Sequence, residues 1–264
     1  MELGNIDPVA FEIGPLVVRW YALAYIAGIL GGWWLATRMA DKPGSPWTRR
    51  HIDDFITWVT LGIIIGGRLA YVIFYNLPYY IENPGAIIRL WDGGMSFHGG
   101  VIGVGVAILW FCKKYKLNWL RVADYVACVV PIGLGLGRIA NFINGELWGR
   151  VTTSPVGIIF HTGGPLPRHP SQLYEAFLEG LVLLAILLVL FYRTNARLMP
   201  GRLSGAFLLF YGIFRFAVEF VREPDSQLAE FTAMTGLHMG QWLCVPMILG
   251  GLYLFFSAPK RQTA

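Results

Sequence analysis

The chain has 264 residues, 55% of them hydrophobic and only 14% charged, with a mean hydropathy of +0.54. Soluble domains carry about a quarter charged residues, so the composition excludes an ordinary soluble fold and points to the membrane. The net charge is +5, but the basic residues fall in short clusters between apolar runs. That pattern argues for positive-inside topology and anionic lipid contact, and against nucleic acid as a partner.

In chain order, Glu2, Asp7 and Glu12 stand where a secretory signal needs a basic region, so none is read there. A span takes about 20 mainly apolar residues. Seven segments qualify: 16–37, 52–75, 96–112, 119–140, 173–192, 203–221 and 238–257. The expected fold class is an all-α polytopic membrane protein, with seven transmembrane helices in a single integral membrane domain over residues 1–264. There is no internal repeat. Small-xxx-small pairs (Gly28/Gly32, Gly62/Gly66, Gly99/Gly103, Gly133/Gly137) suit close helix packing in lipid. Cys112, Cys128 and Cys244 lie inside apolar segments without a Cys-x-x-Cys pair, and read as small buried hydrophobes.

Orientation follows from Lys and Arg. Arg38, Lys42, Arg49 and Arg50 lie in one connection. Lys113, Lys114, Lys116 and Arg121 surround a second, Arg193, Arg197 and Arg202 a third, and Lys260 and Arg261 end the chain on the same side. The opposite side holds only Arg89, Arg150, Arg168 and Arg222. This bias puts the N-terminus outside and the C-terminus in the cytoplasm. The long 141–172 region, between spans 4 and 5, is then non-cytoplasmic.

With that topology, polar residues distant in sequence reach one depth. Arg19, Tyr21 and His98 begin spans 1 and 3. Arg68, Arg138, Arg215 and Glu219 lie in the outer halves of spans 2, 4 and 6. Ionisable groups at such positions are costly, and mark functional sites by default. The densest stretch is Gly137–Gly149, which holds Arg138, Asn141, Asn144 and Glu146. Arg138 and Asn141 share a face if the helix continues that far, and Asn144-Gly145 breaks it. A returning loop would bring Glu146 to Arg138, either as an ion pair that tolerates burial or as part of an anion site. Arg215 and Glu219 are four apart, with Arg222 three further on; the pair is structural, or supplies a second arginine for an anionic leaving group. His98, with Gly99 and Gly100, is a satisfied core histidine, or a base beside a closely approaching lipid head group. Tyr21 is an interfacial aromatic or a positioning hydroxyl. Around Pro170, Ser171 reads as a helix cap, and Gln172 and Glu175 line the site or cap. His161 and His169 read as loop residues, and with His98 they lack metal-ligand spacing.

These residues together resemble the bacterial prolipoprotein diacylglyceryl transferases. The signature Gly-Arg-x-x-Asn-Phe-x-Asn-x-Glu-x-x-Gly is complete from Gly137 to Gly149, and His-Gly-Gly stands at His98–Gly100. Arg19-Trp20-Tyr21, the run His169–Glu175, and the run from Phe214 through Glu219 and Arg222 to Pro224-Asp225 are similar to further family elements. The resemblance implies transfer of the diacylglyceryl group of phosphatidylglycerol to the lipobox cysteine of a preprolipoprotein, forming a thioether and releasing glycerol phosphate. It implies an inner-membrane location, no cofactor and no metal. His98, Arg138, Glu146, Arg215 and Glu219 are then the catalytic candidates. Tyr21, Gly99, Arg138, Asn141, Asn144, Gly149, Arg215 and Arg222 are the substrate-binding candidates. In this assignment Arg138 and Arg215 clamp phosphate, Glu146 and Glu219 orient them, and His98 is the candidate base. A transporter would place charges near mid-membrane in paired broken helices, and a hydrolase would need a Ser–His–Asp or metal constellation. The sequence offers neither.

Overall fold

A computed structural model describes residues 6–14, 16–223 and 234–261. Glu2, Pro224 and Asp225 lie outside the described residues. The chain divides into two compact units, Thr37–Ala123 and the remainder, Met1–Ala36 with Asp124–Ala264.

In the larger unit, strands β1 (Val9–Ile13) and β2 (Leu16–Arg19) form an antiparallel hairpin. Its turn includes Gly14 at φ +59°, a backbone that glycine adopts without a Cβ penalty. Residues 16–19 therefore do not begin the first helix, contrary to the apolar-run reading. The β-branched Val17-Val18 pair suits an extended ladder, and helix α1 (Trp20–Ala40) starts only after it. The same unit holds α5 (Trp119–Ile143) from Asp124 onward, α6 (Ser171–Glu175), a π-helical stretch (Ala176–Val182), α7 (Leu183–Arg193), α8 (Arg202–Val218) and α9 (Met239–Ser257). The run from Ser171 to Arg193 is thus one continuous helical rod with a widened middle. Small residues set the crossings. A Cβ on Gly28 would stand 3.2 Å from the Gly133 Cα, and one on Gly180 only 2.7 Å from the Gly135 Cα. Asp124, fully buried, accepts from the Gly201 and Ser204 backbone amides at 2.7 Å each. A carboxylate thereby caps the positive end of α8.

The smaller unit is built on α2 (Arg49–Tyr75) and α4 (Phe97–Tyr115), joined through the short α3 (Leu77–Glu82) and two 3-10 turns. Thr48 caps α2 and Ser96 caps α4 through side-chain oxygens. Where the two helices cross, a Cβ on Gly62 would stand 2.6 Å from the Gly103 carbonyl oxygen. A Cβ on Gly66 would collide with the Gly99 carbonyl. The glycine pairs read from sequence thus act as contact surfaces here.

Among the described residues, four helical stretches are long and apolar enough to cross a membrane: Arg49–Tyr75, Trp119–Ile143, Ser171–Arg193 and Met239–Arg261. Only 17–28% of each apolar window is buried inside the protein, so the outward faces are also apolar. Exposed Ile29, Leu30, Ile102, Leu181, Val189 and Leu249 belong to this surface. Helices apolar all round, with their outer faces uncovered, are those of a polytopic membrane protein. All three cysteines are buried and free, as their apolar setting predicts.

Candidate active site

The polar core of the larger unit is assembled at helix ends. Arg138 comes from the last turns of α5, Glu175 from the end of α6, and Arg215 and Glu219 from the end of α8. Glu175 is fully buried and gathers three guanidinium groups. Its Oε2 lies 2.6 Å from Arg138 Nε and 3.1 Å from Arg215 Nη1, and its Oε1 accepts from Arg222 Nη1 at 3.0 Å. At Oε2 the attraction is that of close opposite charges, because neither approach has the alignment of a hydrogen bond. Arg215 Nη2 also meets Glu219 Oε2 at 3.0 Å, and Arg222 Nε meets that oxygen at 3.6 Å. The arginine side chains keep 14–21% of their surface exposed, and each guanidinium lies against a buried acid.

A ring of further contacts fixes this cluster. Arg150 Nη2 donates to His238 Nε2 at 2.6 Å, and His238 Nδ1 is 3.9 Å from Glu219 Oε1. The Gly149–Arg222 pair forms an isolated antiparallel bridge, with the Arg150 amide donating to the Val221 carbonyl at 2.9 Å. Gly149 is required there: a Cβ would collide with that same carbonyl and come within 2.8 Å of His169. Arg168 lies 3.8 Å above the Trp148 ring and bonds Glu223 at 3.0 Å, which ties down the long loop.

The signature segment behaves differently from the expectation at one point. Helix α5 does continue past Arg138 and Asn141 and ends at Ile143, with Gly145 at φ +66°, as the Asn-Gly break predicts. The loop does return. Yet Glu146 is not placed on Arg138. Its Oε1 accepts from Asn141 Nδ2 at 2.9 Å and from Asn144 Nδ2 at 3.3 Å, while the buried Gln172 Nε2 donates to the Glu146 carbonyl at 2.6 Å. The reason is competition, since the fully buried Glu175 already neutralises Arg138 at shorter range. Tyr21, at the start of α1, lies within electrostatic reach of both Arg138 and Glu146. Ser171 is not the helix cap expected of it; its hydroxyl donates to the Leu147 carbonyl at 3.0 Å, and Pro170 holds the cap position without a side-chain bond.

The cluster therefore unites Arg138, Arg215, Glu219 and Arg222 of the sequence-predicted residues. Asn141, Asn144 and Glu146 form an adjoining polar group. His98 and Gly99 belong to the smaller unit. His98 is exposed on the first turn of α4, and Gly99 packs against Gly66 and Ala70. Sequence reasoning left Glu175 open between cap and site, and passed over Glu179 and His238. The signal for Glu179 was present: it is an acid within an otherwise apolar run.

Guanidinium groups gathered at helix ends are the kind of donor set that pairs with anionic oxygens. Residues 8–257 match the family model described as prolipoprotein diacylglyceryl transferase. The chain belongs to this family. Among curated relatives, the phosphatidylglycerol–prolipoprotein diacylglyceryl transferase of Zymomonas mobilis is 52% identical, covering 98% of this chain and 93% of its own. Those of Nitratidesulfovibrio vulgaris and Vibrio vulnificus are 53% and 55% identical, covering 98% and 97% of this chain and 97% and 93% of their own. The prolipoprotein diacylglyceryl transferase family is thus matched through both units, including every element that builds the arginine cluster.

Proposed function

We propose that the protein is a membrane transferase that moves the diacylglyceryl group of phosphatidylglycerol to the lipobox cysteine of a preprolipoprotein. The observation that carries this reading is the trio Arg138, Arg215 and Arg222 held on Glu175, in a chain of this family. The substrate's phosphodiester is a single negative charge with planar pairs of oxygens, which guanidinium forks match. Sulfur attacks the glycerol carbon, the carbon–oxygen bond breaks, and the electron pair leaves on the phosphate of glycerol phosphate. Negative charge grows on that phosphate, and Arg138 and Arg215, preorganised in a low-dielectric setting, stabilise it. Glu175 and Glu219 position the arginines. Asn141 and Asn144 orient Glu146, which with Tyr21 borders the head group. The thiol must lose its proton, and His98 is the candidate that takes it.

In this reading the seven apolar segments are seven spans in one domain, in the bacterial inner membrane. The N-terminus and the arginine cluster face the periplasm, and the C-terminus faces the cytoplasm. The Lys and Arg bias of the connections supports that orientation. The test is to incubate purified protein with phosphatidylglycerol and a lipobox peptide and to weigh the peptide. A diacylglyceryl thioether is expected. Free diacylglycerol without modified peptide would instead make the protein a hydrolase. His98→Gln should lose most of the turnover, and near-normal turnover would remove His98 from the role of base.

A further inference from the structure

Beneath Arg215 lies an acid that the mechanism above does not use. Glu179 sits in the π-helical stretch, one of the irregularities that cluster at functional sites, and is fully buried. Neither carboxylate oxygen has a hydrogen-bond partner among the described residues, and its nearest cation, Arg215 Nη1, stands 4.0 Å from Oε1. Glu175, by contrast, is met by guanidinium nitrogens at 2.6 to 3.1 Å. The charge balance makes the difference matter. With all groups ionised, Arg138, Arg215 and Arg222 face Glu175, Glu179 and Glu219, and the cluster is neutral. A neutral cluster has no surplus charge for an anionic head group. With Glu179 protonated, one positive charge remains, which equals the single negative charge of a phosphodiester.

We propose that Glu179 is the charge-setting residue of the site: its protonated form makes the arginine cluster competent to bind the lipid phosphate, and its ionisation closes the cluster to anions. Glu179 is a positioning residue in this scheme, acting through Arg215 rather than touching the substrate. The inference rests on the transferase reading. Other titratable groups face the same region: Glu175 on the same rod, Arg138 on α5, Tyr211, Arg215 and Glu219 on α8, Arg222 beyond it, and Cys244 on α9. His238 stands behind Glu219, with the exposed Arg150 outside it. Of the three carboxylates, Glu175 and Glu219 are met by guanidinium nitrogens at 2.6 to 3.1 Å, whereas Glu179 is met at 4.0 Å.

The test is the pH dependence of KM for a short-chain phosphatidylglycerol, measured by thioether formation on a lipobox peptide. From about pH 6 to about pH 9, KM of the wild type is expected to rise, since one unit charge at roughly 8 Å in an effective dielectric of about 20 changes an anion's affinity by tenfold or more. Glu179→Gln mimics the neutral form and should remain active with a KM flat across that range. Glu179→Asp retains an ionisable group and should restore the rise. A folded but inactive Glu179→Gln protein, a rise parallel to the wild type, or a flat wild-type profile would each overturn the proposal. Loss of folding in Glu179→Gln leaves the Asp variant and the wild-type profile to decide. Absence of any thioether from the wild type would reject the transferase reading instead, and short-chain phosphatidylglycerol binding by calorimetry over the same pH range would then read the charge device directly.

Discussion

Two buried arginine sites in this protein solve the same problem in opposite ways. In the smaller unit, the Arg68 guanidinium is spent on backbone carbonyls. It donates to Ile87 at 2.8 Å, Ala86 at 2.7 Å, Arg89 and Gly94 at 3.0 Å each, and also to Gly93, with the Tyr80 ring 5.3 Å away. Arg68 is only 4% exposed, and its fork is closed. In the larger unit, Arg138, Arg215 and Arg222 lie against carboxylates, and each side chain keeps part of its surface exposed. Carbonyl dipoles saturate a guanidinium's donors and lock a loop in place. A buried carboxylate neutralises charge through one or two donors and leaves the rest for a ligand. Burial of an arginine therefore does not distinguish structure from function, but the identity of its acceptors does.

Exchanging residues between the two sites should separate turnover from folding. The largest effect is expected for Arg138→Ala: turnover per folded molecule should fall by a factor of about 100 to 1,000, the cost of removing one preorganised charge donor, with a smaller loss of stability than at Arg68 because Arg215 and Arg222 still neutralise Glu175. Arg68→Met should do the reverse. It abandons five carbonyl acceptors, so stability should drop by about 3–5 kcal/mol while the surviving folded fraction turns over within a few-fold of normal. Chemical denaturation and a single-turnover thioether assay on the same preparation would read both quantities. Equal losses of turnover in the two variants would erase the contrast.

Glu175→Gln sharpens it further. Removing the shared acid leaves three guanidinium groups to repel one another, so stability should fall by about 3–5 kcal/mol and turnover should fall as the clamp loses its geometry. A smaller effect is expected at Gly99→Ala. The added methyl meets the Gly66 carbonyl and Ala70, so about 1–3 kcal/mol of stability should be lost to overpacking. If Gly99 also borders the lipid head group, KM for phosphatidylglycerol should rise as well, which stability measurements alone would not reveal.

The smallest effect belongs to an exposed pair. Arg49 bonds Asp41 at 2.7 Å and holds its carboxyl below the usual carboxylate range. The sign follows from that depression. Any stabilisation is present above the ordinary Asp range and is lost only as pH falls through the lowered folded-state value. At neutral pH, Asp41→Asn should leave the melting temperature unchanged within error, because surface pairs are screened and flexible. A clear shift would mean that charge geometry outside the buried clusters matters more than burial does.

Much of this architecture was legible in the sequence. Long apolar runs with basic punctuation placed the helices to within a few residues, and small-residue spacing marked the α2–α4 crossing. The signature segment disclosed Arg138, and helical spacing paired Arg215 with Glu219. Two things were not legible, each for a physical reason. Residues 16–19 are as apolar as the helix that follows, so hydropathy could not separate strand from span; only the β-branched pair and Gly14 hinted at a hairpin. Proximity in sequence pairs Arg138 with Glu146, whereas the structure supplies Glu175 from α6. Pairing of that kind depends on which acid is more deeply desolvated, which is a property of tertiary packing. The same limit hid Glu179, whose significance appears only when the cluster's charges are counted together.

The transferase reading requires that the arginine cluster receive the lipid phosphate. The most direct measurement is a structure of the protein with phosphatidylglycerol bound. The phosphate oxygens are expected within about 3 Å of the Arg138 and Arg215 guanidinium nitrogens, with Glu175 still behind them. A head group seated elsewhere, with both arginines turned wholly onto Glu175 and Glu219, would contradict it.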